Sequence, residues 1–381
     1  MLVLGASGFL GDRLVERLVL ERRARVRVLV RRVMGAVRLA RLPVEVVTGD
    51  VVDAHAVAAA AEDCDVVFNC VKGTGADASL RRAADVNGVR HVVEAAREQG
   101  ARVVHVSTMA VYDLPRDGDV DELSPPAPRG DPYSDAKREG ERLALALGSR
   151  HGVPVVVVQP TVIYGPNAGV HGAEILEELR TSRVLLIDGG AGVCNAVYVD
   201  DVVTALLLAA TSDRAPGERF LVSGPEYPTW REFIGCFERM LGVSRTVPMS
   251  EAEALALWRR SRRRPWLAPD LLRLLREDRA LRRRVLATRE GALARRVVAH
   301  TPLRSLLGGA RAPAPPGPAA VPPDDELPLA PARPWLVHYL AKRARVRHDK
   351  ARALLGYEPA FSLADGMCLT EQWARVAGLL G

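Results

Sequence analysis

Tyr133 and Lys137 stand four residues apart in Tyr133-Ser134-Asp135-Ala136-Lys137, a spacing that puts both side chains on one face of a helix. A free phenol ionises near pH 10, and an ammonium one turn away favours the phenolate, so the pair makes a general acid or base usable near neutrality. Thr108, just past an apolar run, adds a hydroxyl able to hold a reacting oxygen. The plainer alternative is a surface Tyr and a solvated Lys at the start of a helix. Composition speaks against it: of 53 Lys and Arg only four are Lys, namely Lys72, Lys137, Lys342 and Lys350. A chain that writes nearly every cation as Arg has written Lys one turn from Tyr133.

A second constellation opens the chain. The apolar run in Leu2-Val3-Leu4-Gly5-Ala6-Ser7-Gly8-Phe9-Leu10-Gly11 ends in three glycines spaced G-x-x-G-x-x-G, and Asp12 to Arg22 reads as a helix. Gly5 allows the strand-to-helix turn, Gly8 lets a backbone approach a pyrophosphate, and Gly11 lets the helix lie tight on the sheet. The N–H groups of Ser7 to Leu10 then face an anion at a helix N-terminus. The pattern predicts a dinucleotide site.

Strands are expected at Leu2–Leu4, Val26–Val30, Val44–Val47, Val66–Cys70, Arg102–Val106 and Val155–Val158, with helical patterns between them, notably Ala83–Gln99 and Ala136–Leu147. This alternation predicts an α/β fold, a Rossmann-type doubly wound parallel sheet. After Tyr164-Gly165-Pro166 the pattern loosens. It then gives a short strand at Arg219–Val222, a helix from Thr229 to Leu241 with Thr229 as N-cap, and a last helix over 363–379. Asp200 and Asp201 read as caps of a helix starting at Val202, and His105 as a packed strand residue. The expected organisation is a dinucleotide-binding domain over 1–165 and a smaller substrate-binding region over 166–245 and 345–381. An Arg-rich helical insertion fills 246–307, and a linker with nine prolines in its 27 residues fills 308–334.

The net charge of +7 is uneven: residues 251–311 hold 16 Arg against 6 Asp and Glu, which is +10 and leaves −3 elsewhere. Sparse aromatic residues there argue against nucleic-acid binding. In the segment Trp258–Arg304, apolar Leu271, Leu274, Leu275, Leu281 and Val285 recur at helical spacing among Arg273, Arg276, Arg279, Arg283 and Arg284. Core packing, peripheral contact with anionic membrane and a phosphate clamp are the competing readings. Five scattered cysteines without C-x-x-C, and no His ligand spacing, fit free thiols, no metal and a cytoplasmic protein.

These residues together resemble the extended short-chain dehydrogenase/reductases, the NAD(P)-dependent epimerases, dehydratases and reductases acting largely on nucleotide sugars. Gly5 to Gly11 is similar to the family's cofactor loop, Gly49-Asp50-Val51-Val52-Asp53 to its adenine-contacting turn, and Ser107-Thr108-Met109-Ala110-Val111-Tyr112 to its catalytic segment. Tyr133 with Lys137 matches its Tyr-x-x-x-Lys pair, and Gln159-Pro160-Thr161-Val162-Ile163-Tyr164-Gly165-Pro166 resembles the stretch that passes the nicotinamide. The resemblance covers residues 1–245 and 345–381 and implies Thr108, Tyr133 and Lys137 as catalytic residues and a homodimer as the assembly. It also implies cofactor contacts from Gly5, Ser7, Gly8, Phe9, Leu10, Gly11, Asp50, Val51, Cys70, Val71, Ser107, Tyr133, Lys137, Pro160 and Thr161. Arg31 and Arg32 end the second strand where NAD users commonly carry an acid, which suits the 2′-phosphate of NADP, with NAD as the alternative. Sugar 4,6-dehydratases of the family place Asp-Glu after the catalytic Thr; Met109 and Ala110 stand here, which disfavours dehydration. Asp85 replaces a usual Asn and Gln159 a usual Arg. The expected reaction is hydride transfer at a carbinol or ketone carbon, of a nucleotide sugar by preference. A non-sugar ketone reductase and a cofactor-sensing protein are the rivals.

Overall fold

The structure, a computed structural model, describes residues 1–73, 78–127, 130–263 and 327–380. Its centre is a seven-stranded parallel sheet. The strands in chain order are β1 (Leu2–Leu4), β2 (Val26–Val30), β3 (Val44–Thr48), β4 (Val66–Asn69), β5 (Arg102–Val106), β6 (Asp119–Val120), β7 (Val155–Pro160), β8 (Val162–Tyr164), β9 (Val184–Ile187), β10 (Ala196–Tyr198), β11 (Arg219–Val222), β12 (Thr246–Met249) and β13 (Arg345–Val346). The large sheet runs β11-β7-β5-β4-β1-β2-β3. The β-branched runs read as strands because their side chains suit a pleated surface buried on both sides. Alternation along each strand divides them between two cores. Val3, Val28 and Phe68 face one, while Leu2, Leu4 and Val67 face the other.

The helices are α1 (Phe9–Leu20), α2 (Ala54–Ala61), α3 (Ala78–Arg82), α4 (Gly88–Gln99), α5 (Pro132–His151), α6 (Glu174–Thr181), α7 (Val199–Thr211), α8 (Trp230–Leu241), α9 (Glu251–Arg263), α10 (Pro334–Leu340), α11 (Asp349–Leu355) and α12 (Leu363–Val376). α1 and α7 supply Leu14, Leu18, Val203 and Leu206 to the first core. α2, α4 and α5 supply Val57, Val92, Val93 and Leu147 to the second. Each such buried side chain contributes on the order of 1.5–3 kcal/mol. Helices on both faces make the sheet doubly wound, and the winding reverses between β1 and β4. Open parallel sheets bind ligands at such a switch point, beyond the carboxyl ends of the strands.

Several expectations need correction. The sheet does not end near residue 165: β11 is its edge strand, and α7 and α11 cover its face, so residues 199–222 and 349–357 belong to the large core. The helix expected over Ala83–Gln99 begins earlier, at Ala78, and widens into a π-helical turn over Ala83–Asn87 before α4. Asp200 and Asp201 cap nothing, because α7 starts at Val199. Asp200 receives Arg13 in a two-pronged contact, Nε at 2.6 Å and Nη2 at 3.0 Å. Asp201 accepts the backbone N–H groups of Ala360 and Phe361 at 2.8 and 3.2 Å, which docks the C-terminal segment.

The smaller region is built from short parallel pairs, β8 with β10, β9 with β12 and β6 with β13. Around them α6, α8 and α12 close an aromatic core of Tyr164, Tyr198, Trp230, Phe233 and Phe237. Thr229 caps α8 through a full capping box with Glu232. The region expected as an insertion thus begins inside this unit, with β12 and α9. The amphipathic stretch from Leu271 to Val285 lies outside the described residues, as does residues 308–326 of the proline-rich linker. No helix among the described residues is long and apolar enough to cross a membrane.

Candidate active site

Asp131 sets the start of α5. Its Oδ1 accepts the backbone N–H groups of Tyr133 and Ser134 at 3.1 and 3.3 Å, and Pro132 occupies the first turn. Tyr133 is therefore fixed in the first turn, with its side chain half-buried. One turn on, Lys137 is 3% exposed. Its Nζ donates to the carbonyls of Val71 at 2.7 Å and Val106 at 3.3 Å, and pairs with Asp85 at 3.1 Å. One ammonium thus staples the ends of β4 and β5 to α5. Thr108, two residues past Val106, caps the 3-10 turn Met109–Val111; its Oγ1 accepts the N–H of Ala110 at 3.2 Å. That leaves the Thr108 hydroxyl proton for a reacting oxygen. The three residues singled out for chemistry are carried by one strand end and one helix at the C-terminal edge of the sheet.

Asp85 comes from the π-helical turn, a feature frequent at functional sites. Its second oxygen accepts the N–H of Gly73 at 3.1 Å. Two glycines permit this arrangement. A Cβ on Gly140 would lie 2.2 Å from the Asp85 carbonyl, and one on Gly73 would lie 2.4 Å from the Arg81 carbonyl.

Behind the strand ends lies a buried polar network. Glu141, one turn beyond Lys137, accepts from Ser107 Oγ at 2.7 Å and Gln159 Nε2 at 2.8 Å, and Arg219 reaches it at 3.4 Å. The Tyr112 hydroxyl donates to Gln159 Oε1 at 3.0 Å. Burial raises the Glu141 carboxyl above its ordinary value, against the lowering effect of these donors, and pushes Tyr112 up to about 12. Gln159 stands where the resemblance expects an Arg, and the cation beside Glu141 comes from edge strand β11. The Ser107 hydroxyl hydrogen is thereby given to Glu141. The Thr161 hydroxyl likewise donates to the Val222 carbonyl at 3.3 Å, beside buried Pro160. His105 faces Asn69 Nδ2 at 3.2 Å; burial, then the Lys137 charge, lowers it to about 3. It is packed, as its place in a strand implied.

At the switch point the glycine loop fits a dinucleotide. Gly5 has φ +77°, and a Cβ there would stand 2.7 Å from the Cys70 carbonyl, so the ends of β1 and β4 touch. A Cβ on Gly11 would lie 2.3 Å from the Gly5 carbonyl. Ser7 and Gly8 are exposed and Phe9 and Leu10 half-buried at the start of α1, which leaves room for an anion. Arg31 and Arg32 are exposed at the end of β2. Asp50 turns the chain after β3, accepting from Val52 N–H at 3.3 Å, and Val51 is packed beneath Gly88. Burial pushes the Cys70 thiol up to about 12, so it is inert, and Val71 serves through its carbonyl. Among the described residues no group of three His, Cys, Asp or Glu is placed to hold a metal.

Residues 1–223 match the model of the NAD dependent epimerase/dehydratase family. The chain belongs to this family. Over 276 residues, 68% of this chain and 80% of the relative, it is 33% identical to a 4-hydroxy-2-methyl-3-oxo-4-farnesyl-3,4-dihydroquinoline-1-oxide ketoreductase of Stigmatella aurantiaca. It is also 31% identical to a dTDP-glucose 4,6-dehydratase of Streptomyces antibioticus, over 64% of this chain and 77% of that one. Among solved structures, a dTDP-glucose 4,6-dehydratase from Streptomyces venezuelae with NAD bound shares the fold at a TM-score of 0.67 and 21% identity, covering 98% of this chain and 96% of the other. The protein is an NAD(P)-dependent oxidoreductase of the extended short-chain type, its sheet that of a Rossmann fold.

Sequence reasoning passed over Glu141 and Arg219. Glu141 carried a signal, because it continues the Tyr133–Lys137 stripe by four more residues. Arg219 carried none, since only the folded sheet brings β11 beside β7.

Proposed function

We propose that the protein moves a hydride between NADP and a carbinol or ketone carbon, with a nucleotide sugar as the favoured substrate. The observation that carries this reading is Lys137 tying the ends of β4 and β5 to the helix of Tyr133, next to Thr108. In it Tyr133 gives a proton to, or takes one from, the reacting oxygen, and Thr108 holds that oxygen by donating its hydroxyl hydrogen. Lys137 holds the strand ends beside Tyr133 through the Val71 and Val106 carbonyls. The nicotinamide, when bound, supplies or accepts the hydride. Gly5, Gly8 and Gly11 with the N–H groups of Ser7 to Leu10 would hold the pyrophosphate, Asp50 and Val51 the adenine side, and Arg31 and Arg32 a 2′-phosphate.

Dehydration is not part of this reading. Elimination of water needs a proton donor and acceptor beside the catalytic Thr, and Met109 is a buried core residue while Ala110 has no titratable group. That same observation favours a second reading, reduction of a non-sugar ketone, supported by the ketoreductase relative. The test is cofactor turnover by purified full-length protein with a panel of nucleotide sugars and simple ketones, together with identification of any nucleotide that copurifies. Absence of cofactor binding and of turnover with either class would overturn both readings.

A further inference from the structure

Glu141 holds both ends of the turn that carries Thr108. Its Oε2 accepts from Ser107 Oγ at 2.7 Å and from Gln159 Nε2 at 2.8 Å. Gln159 in turn accepts the Tyr112 hydroxyl through Oε1 at 3.0 Å. Ser107 and Tyr112 flank the segment in which Thr108 caps the 3-10 turn Met109–Val111. Ser107, Tyr112, Glu141 and Gln159 are between 0 and 4% exposed, so little water competes for these hydrogen bonds. The helix that supplies Glu141 also carries Tyr133, two turns earlier. α5 therefore presents one of the two groups that meet the reacting oxygen, and its buried carboxylate pins the turn that presents the other.

Two donors converge on one oxygen, Oε2, which suits a carboxylate: a proton placed on that oxygen would face the Gln159 N–H. Burial favours the protonated form, and the Arg219 guanidinium, with Nη1 3.4 Å from Oε1, opposes it. Ser107 from the end of β5, Gln159 from β7 and Arg219 from β11 face the carboxyl group, with Tyr112 beyond Gln159. Lys137, one turn earlier on α5, is paired with Asp85. The Arg219 side chain is 33% exposed and borders a cavity of about 860 Å³ lined also by Glu122, Glu218 and Lys350. A guanidinium at the rim of the sheet thus governs a carboxylate inside it. Two groups that must meet one oxygen need a common frame, because a misplacement of about 1 Å can cost about 10² in rate. We propose that Glu141 and Arg219 are positioning residues of the reaction: the carboxylate, kept ionised by the guanidinium, locks the Thr108 turn to the helix of Tyr133. The proposal rests on Thr108 and Tyr133 sharing the reacting oxygen.

Full-length wild type, Arg219→Gln, Arg219→Lys and Glu141→Gln test it in two ways. The first needs no substrate. The amides of Val111 and Tyr112 donate to the Thr108 and Met109 carbonyls at 3.4 and 3.1 Å, and their hydrogen exchange, read by mass spectrometry, reports the turn. Exchange over 107–112 should quicken by about 10-fold in Arg219→Gln and Glu141→Gln while peptides of α2 stay unchanged. The second uses the nucleotide sugar or ketone that the wild type turns over fastest. Arg219→Gln should lower kcat by about 10–10² with the NADPH dissociation constant kept. Its acid limb should move to higher pH, since a carboxyl without its cation takes up a proton more readily. Arg219→Lys should restore most of the rate, and Glu141→Gln should be slow at every pH. Unchanged exchange in Arg219→Gln overturns the proposal, as does an unchanged kcat. A lower kcat with the acid limb unmoved and the melting temperature reduced also overturns it, because it would mean a general loss of stability. Absence of turnover by the wild type would count against the oxidoreductase reading, while the exchange measurement still decides whether Glu141 and Arg219 lock the turn.

Discussion

The Asp85 carboxylate and the Lys137 ammonium stand 3.1 Å apart, and their side chains are only 2% and 4% exposed. Such a pair is compensated only while both partners remain, because either charge left alone in that interior is poorly solvated. Asp85→Ala should therefore lower stability by about 3–5 kcal/mol. Asp85→Asn keeps an acceptor for the ammonium and should cost less. Denaturant titration of the two variants checks this; a loss below about 1 kcal/mol in Asp85→Ala would show that water already reaches Lys137.

Tyr133→Phe removes the proton-transfer group and leaves the ring. Turnover should fall by about 10²–10⁴ while the NADPH dissociation constant changes little. Lys137→Met should reduce turnover and also loosen the strand ends that Lys137 holds through Val71 and Val106. Near-normal turnover by Tyr133→Phe on the substrate found in the panel would remove Tyr133 from the reaction.

The cofactor preference follows from two exposed guanidinium groups at the end of β2. NADPH should bind more tightly than NADH by about 1.5–3 kcal/mol, the strength of one or two charge-assisted hydrogen bonds. Arg31→Ser with Arg32→Ser should close most of that gap. Dissociation constants on nucleotide-stripped protein decide; equal affinities in the wild type would refute the preference.

His105 makes stability depend on acidity in a defined window. Its folded pKa is lowered to about 3, below the free value of 6.5, by burial and then by Lys137. Below 6.5 the unfolded chain takes up a proton that the native protein refuses. Stability should thus fall as pH drops from 6.5 toward 3, by about 1.4 kcal/mol per pH unit from this residue. Replacing His105 by Asn, which cannot titrate, should flatten the pH dependence of the denaturation midpoint in that window relative to wild type. Parallel curves for the two proteins would mean that His105 takes a proton in the native state.

The large sheet was legible because its signals are local. Val-rich runs bounded by turns mark β2, β5 and β7, three glycines mark the first turn, and Thr229 with Glu232 marks the start of α8. The Tyr133–Lys137 stripe was equally local. What stayed hidden depends on partners distant in sequence. β11 joins the sheet and β13 pairs with β6 across more than two hundred residues. Asp200 looked like a cap because nothing near it in sequence announces Arg13. The π-helical turn at Asp85 likewise has no local code; it is stabilised by Lys137, Gly73 and the close approach of Gly140.

α9 and α10 border residues 264–326 on either side, and they pack on one another through Ala254, Val337 and Ala341 beneath β9. Leu329 also bridges to Arg183 before α10 begins. The two stems that flank residues 264–326 in sequence are thus already in contact. Joining such stems is an inexpensive splice: loop-closure entropy changes by only about 0.6 kcal/mol for each doubling of length. Two elements held side by side by their own packing are a position where a change in the length of the sequence between them carries little entropic cost.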